Sequence, residues 1–117
     1  MDTLRLFFPQ WQGSGSERAK ELLTGVMSLK SLLPSSMTEL ETEDVNTETA
    51  NNILHYADIV LNLEEALHII QEANPKRLVT IGGDCGVDAA PITYLNKVYK
   101  DLAVVWIDAH ADLNTPE

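Results

Sequence analysis

Three side chains near the end of the sequence, Asp108, His110 and Asp112, are each able to ligate a metal ion, and they recur two apart in D-A-H-A-D. In an extended segment alternate side chains share a face, so this spacing aims a carboxylate, an imidazole and a second carboxylate into one small volume. Two carboxylates with a neutral imidazole form a hard-to-borderline donor set, suited to manganese, zinc or iron rather than to copper(I) or an iron–sulfur cluster. The same acids would also serve as caps of a following helix, with His110 an ordinary loop residue.

The elements that position this triad come next. The apolar run Leu102 to Ile107 has the length of one buried strand and ends at the triad. Upstream, Arg77 to Ile81 has the length and β-branching of another, and it runs into Gly82, Gly83, Asp84, Cys85 and Gly86. A helix over about Gly86 to Lys100 joins them. Strand, helix, strand within about thirty residues is a parallel crossover unit, so both loops emerge at the carboxyl ends of their strands, the edge where open parallel sheets bind ligands. The Gly82-Gly83 pair permits a sharp turn or a close backbone approach to a ligand. It is not a dinucleotide fingerprint, because G-x-G-x-x-G is absent. Cys85 would act either as a thiolate ligand or as a small buried hydrophobe.

The rest of the chain reads as support. Leu4 to Pro9 predicts a first strand and Trp11 to Ser16 a strand-to-helix loop. Ser14 followed by Glu17 matches a capping box, which predicts a helix starting there, with Ala19, Leu22, Leu23, Val26, Met27, Leu29 and Leu33 as its core stripe and Pro34 as its end. Residues 35–52 are polar and acidic, a solvated face with one short edge strand near Met37 to Glu41. A further helix is predicted from Asn62 as cap through Ala73, with Ile53 to Leu61 either extending it or forming a separate turn, and Asn74-Pro75 stopping it. His55 and His68 read as surface or structural histidines.

With 117 residues, 44% of them hydrophobic, the chain can bury one modest core and one domain. Its formal net charge of −10 makes nucleic acid or an acidic membrane surface a poor partner and favours a small cationic substrate. One cysteine and no secretory leader pattern predict a cytoplasmic protein, and no apolar run reaches the roughly 18 residues of a membrane span.

The pair G-G-D-C after one strand and D-A-H-A-D-L-N-T-P after a later one resembles the ureohydrolase family, which includes arginase and agmatinase. The resemblance covers essentially the whole chain. It implies an α/β three-layer sandwich around a mainly parallel sheet, of which residues 1–117 would be the N-terminal part of a single domain. It also implies two manganese ions, with Asp108 bridging both, His110 binding one and Asp112 the other, and with Asn114 contacting the substrate's α-carboxylate. The N-T-P ending is more arginase-like than agmatinase-like. The implied reaction is hydrolysis of a cationic guanidino substrate to release urea. A guanidinium stays protonated in proteins and its carbon is a poor electrophile, so hydrolysis needs hydroxide. A metal pair ~3.5–4 Å apart supplies it by lowering the pKa of water from ~15.7 to about 7.

Two features depart from the family pattern. Most members carry histidine where this chain has Cys85, a thiolate that favours zinc or iron over manganese, and the loop Gln10 to Ser16 lacks the usual glycine–proline pattern. Members are more than twice as long, and their remaining ligands lie in a later motif. The 117 residues alone are therefore expected to be inactive, with apolar strand edges that call for another chain, as in a homo-oligomer. The alternative is a catalytically impaired member acting as a regulatory or structural subunit.

Overall fold

The computed structural model describes residues 2–42 and 44–112. Its centre is a three-stranded parallel sheet in the order β2-β1-β5, with β1 at Thr3–Phe8, β2 at Thr38–Glu39 and β5 at Arg77–Gly82. β1 and β5 pair along their full length, from Thr3 opposite Arg77 to Phe8 opposite Gly82, and Leu6 lies opposite Thr38 of β2. The alternation of β1 decides which face is which. Leu4, Leu6 and Phe8 enter the main core, while Phe7 is buried on the opposite side, under the ammonium of Lys30 at 5.0 Å.

That division follows from the order of the strands. The connection from β1 to β2 carries helix α1 (Glu21–Lys30). The one from β2 to β5 runs back the other way across β1 and carries helix α2 (Tyr56–Ala73). Right-handed crossovers in opposite directions put their helices on opposite faces. Helix α3 (Ala89–Val98) follows β5 and packs against α2. The loop after β1 therefore leaves toward one face and the loop after β5 toward the other, which opens a crevice at their carboxyl ends, the switch point of an open α/β sheet.

On the α2 side, Ala66 and Ile70 meet Leu4, Leu6 and Phe8, with Leu40, Val87, Ala90 and Tyr94 completing the cluster. Burying a side chain such as Leu6 or Ile70 contributes about 1.5–3 kcal/mol. The buried stripe of α2 is Asp58, Asn62, Ala66 and Ile70, spaced by four. It is apolar at one end and polar at the other, and the polar end reaches the crevice. The helix stops where Asn74 takes a left-handed conformation (φ 43°) and returns its N–H to the Ile70 carbonyl. Tyr94 ties α3 to this corner by donating its hydroxyl to Asn74 Oδ1 and the Pro75 carbonyl.

Several expectations change. α1 starts at Glu21, not at Ser14, because the Ser14 and Ser16 hydroxyls accept from the N–H of Ser16 and Arg18 and hold local turns instead of a capping box. Only Val26 of α1 is buried, while Met27 and Leu29 are half exposed. α2 starts at Tyr56, and Asn62 is no cap: its amide lies inside the helix and donates to Gln10 Oε1 at 3.1 Å. The acidic stretch holds a small hairpin of β3 (Thr49–Ala50) and β4 (Ile53–Leu54), turned by Asn51 and Asn52 at φ 52° and 62°. Paired positive φ values are what a two-residue hairpin turn demands, and asparagine tolerates them.

The largest correction concerns Leu102 to Ile107, which forms no strand. Val105 and Ile107 are 85% and 94% exposed. Among the described residues no strand flanks the outer edge of β5, where Val79 is 45% exposed. An apolar run becomes a buried strand only where partners supply hydrogen bonds on its edges and a layer on its face. Neither is present here for this segment. Among the described residues no helix is long and apolar enough to cross a membrane.

Candidate metal centre

The crevice is built on Asp84. Its carboxylate is nearly buried and accepts three hydrogen bonds, from Gln10 Nε2 at 3.1 Å, the Gly13 N–H at 2.7 Å and the Gly86 N–H at 2.8 Å. Its own N–H donates to the Gln10 carbonyl at 2.8 Å. Gln10, also buried, accepts in turn from Asn62 of α2. A continuous polar chain thus fastens the loop after β1, the loop after β5 and the polar end of α2 to one another. Charge-assisted bonds of this kind are about twice as strong as neutral ones and fix geometry as well as energy.

The glycines make that junction possible. A Cβ on Gly83 would lie 1.9 Å from the Gln10 carbonyl oxygen, and one on Gly82 would lie 2.3 Å from Val87 Cγ2. Gly83 thus permits a close approach to the chain's own backbone at Gln10. Asp84 then caps a short 3₁₀ turn, Cys85–Asp88, by accepting from Gly86, and this turn presents the Cys85 thiol to solvent. The reading of Cys85 as a small buried hydrophobe is therefore set aside.

The second loop meets it there. Asp108 Oδ1 accepts from the His110 N–H at 2.8 Å, the two-residue side-chain turn that aspartate favours. Trp106 Nε1 donates to Asp112 Oδ2 at 3.2 Å, and Asp112 itself has φ 50°. The segment from Trp106 to Asp112 is thus a compact turn and not the extended run that alternation presumed. Its two carboxylates converge on Cys85, whose sulfur lies 3.8 Å from Asp108 Oδ2. One donor atom each from Cys85, Asp108 and Asp112 lies within 4.8 Å of the others. His110 stands outside this trio, with its side chain 84% exposed and Nδ1 3.4 Å from Asp108 Oδ1. Asn114 lies outside the described residues.

Three acidic groups so close together carry a clear electrostatic signature. Partial burial first, and the Asp108 and Asp112 charges next, push the Cys85 thiol up from its ordinary range. The His110 backbone N–H, aided by the nearby imidazole and the thiol, holds Asp108 below the usual carboxylate range. Among the described residues no lysine or arginine pairs with Asp108 or Asp112. A divalent cation would relieve the repulsion that a lysine or arginine does not. One sulfur and two carboxylate oxygens suit an ion of borderline softness.

Gln10, Gly13 and Asp84 are residues that sequence reasoning left without a role, and Asn62, read there as a helix cap, joins them. Gln10 lies 74 positions from Asp84, so no local pattern joins them. The one available signal was a glutamine set directly after an apolar strand and its proline. The two other histidines are peripheral. His55 Nδ1 lies 2.8 Å from the Asn46 carbonyl oxygen with its ring edge-on to Trp11, and His68 is exposed beside Glu72.

A model of the Arginase family matches residues 14–117. The chain belongs to the arginase family. Among the relatives of this arginase-family chain, an arginase of Schizosaccharomyces pombe is 36% identical over 76 residues, which cover 64% of the chain and 23% of that protein. An arginase of Plasmodium berghei is 32% identical over 84 residues, 68% of the chain and 24% of that protein. The hepatic arginase of Aquarana catesbeiana is 55% identical over 38 residues, 32% of the chain and 12% of that protein. The chain thus spans about a quarter, or less, of the length of these relatives.

Proposed function

We propose that this chain supplies the N-terminal metal ligands of a ureohydrolase that hydrolyses a guanidino C–N bond and releases urea, with an arginase-like substrate. The observation that carries the reading is the meeting of Cys85 with Asp108 and Asp112, with the sulfur 3.8 Å from Asp108 Oδ2 across 23 positions of sequence. Membership in the arginase family supports it.

In this reading Asp84 and Gln10 hold the first loop still, and the Asp108 turn holds the second. A bound divalent ion would activate water as a nucleophile near neutral pH, which a permanently protonated guanidinium requires. The acidic rim draws in the cationic substrate, and Asn114 would orient it through its α-carboxylate. Three donors do not hold two ions, so the 117 residues alone carry too little of the centre for turnover. The exposed apolar segment 102–107 would be covered by further chain or by a second subunit, in a cytoplasmic enzyme.

The second reading, a member retained as a regulatory or structural subunit, draws support from Cys85 and from the outward position of His110. Both tests use urea release from arginine, agmatine and guanidinobutyrate with added manganese. The polypeptide encoded by the whole reading frame should turn over one of them, and Asp108→Asn should abolish it. Activity absent from that polypeptide, with the fold intact, would favour the subunit. Turnover by residues 1–117 at rates typical of enzymes, about 1–10³ per second, would overturn the claim of incompleteness.

A further inference from the structure

We propose that the Cys85–Asp108–Asp112 centre is selective for a thiophilic divalent cation of the zinc type, bound through the Cys85 sulfur, over manganese. The inference rests on the reading of this cluster as a metal site and adds to it the identity of the ion. Manganese prefers an octahedral set of oxygens, whereas a thiolate selects softer ions. Cys85 Sγ and Asp108 Oδ2 lie 3.8 Å apart, close enough for one cation to bond both.

The neighbouring groups do not supply a harder alternative. Asp84 is the next residue, but its carboxylate is committed to Gln10, Gly13 and Gly86 and is nearly buried. The His110 imidazole faces solvent. Three protein donors with a fourth position free is the arrangement that catalytic zinc sites keep. Cys85 is exposed and can release its proton to solvent as the ion binds.

The test titrates the metal-free chain with Zn²⁺, Co²⁺ and Mn²⁺ separately and includes the variants Cys85→Ser, Cys85→His and Asp108→Asn. Cobalt should give a thiolate-to-metal charge-transfer absorption that Cys85→Ser abolishes and Zn²⁺ displaces. The zinc-to-manganese affinity ratio should fall by about tenfold or more in Cys85→Ser and Cys85→His, a scale that even outer-sphere substitutions reach. Circular dichroism of the variants controls for folding. If metal binds and Asp108→Asn weakens it, but the ratio is unchanged in Cys85→Ser and no charge-transfer band forms, the selectivity is refuted while the metal site survives. If neither Cys85→Ser nor Asp108→Asn alters binding of any of the ions, the site itself is refuted and the selectivity with it.

Discussion

Replacing Asp84 tests the junction on which the site is built. The carboxylate accepts three hydrogen bonds, each worth about 1.5–3 kcal/mol when the acceptor is charged. The full sum overstates the loss, because Gly13 and Gly86 are exposed residues whose bonds to Asp84 are only part-buried, so water can take the place of the carboxylate. Gln10 is 1% exposed and its amide would lose a partner inside the protein. Asp84→Ala should therefore cost about 2–4 kcal/mol in urea denaturation, with little change in the denaturant slope. Asp84→Asn is the discriminating control. With its oxygen in the Oδ1 position it still accepts from Gln10 and Gly86, but its NH₂ then faces the Gly13 N–H, so it should cost only about 1–2 kcal/mol. Equal losses in the two variants, or losses under about 0.5 kcal/mol as at an ordinary surface site, would refute the assignment of Asp84 as the residue that pins the two loops together.

Gly83→Ala should cost about 3 kcal/mol or more, since its Cβ would lie 1.9 Å from the Gln10 carbonyl oxygen and the backbone itself must yield. Thermal unfolding of the two proteins compares them directly, and a neutral substitution would contradict the described approach. In the metal-free chain, alkylation of Cys85 by iodoacetamide should show a midpoint above the ordinary thiol value of about 8.5, because burial and the two carboxylates disfavour the thiolate. Asp108→Asn and Asp112→Asn should each lower that midpoint. Asp108 moves in the opposite sense. Its value is depressed by the His110 N–H, so the turn it closes is fully stabilised above the ordinary aspartate value of about 3.9 and loses that support as pH falls through the lower folded value. Carboxyl carbon shifts of Asp108 and the amide shift of His110, followed by NMR, should titrate together below ~3.9.

The parts of the fold that local chemistry dictates were legible in the sequence. The run from Leu4 to Pro9 marked β1, β-branching marked β5, and Asn74 before Pro75 marked the end of α2. Errors arose where a local signal was met without its tertiary context. Asn62 has the residue type and the following glutamate of a cap, yet it sits inside α2 because Gln10 takes its amide. Leu102 to Ile107 has the composition of a buried strand, but composition does not supply the neighbours that make one. At the site, the metal-capable side chains were visible from spacing, whereas their arrangement was not. Alternation assumed an extended backbone through Asp112, and the side-chain bond from Asp108 to the His110 N–H bends it instead. The Asp84 network was invisible because its partners are set by the sheet order, which brings the loops after β1 and β5 to one crevice.

The central claim is that two segments distant in sequence, one bearing Cys85 and the other Asp108 and Asp112, share a single cation. A crystal of the chain soaked in cadmium, with anomalous scattering recorded, tests this most directly. One strong peak is predicted within bonding distance of the Cys85 sulfur and of both carboxylates. A peak held by carboxylates alone, or one at His55 or His68 with the Cys85 crevice vacant, would contradict the account.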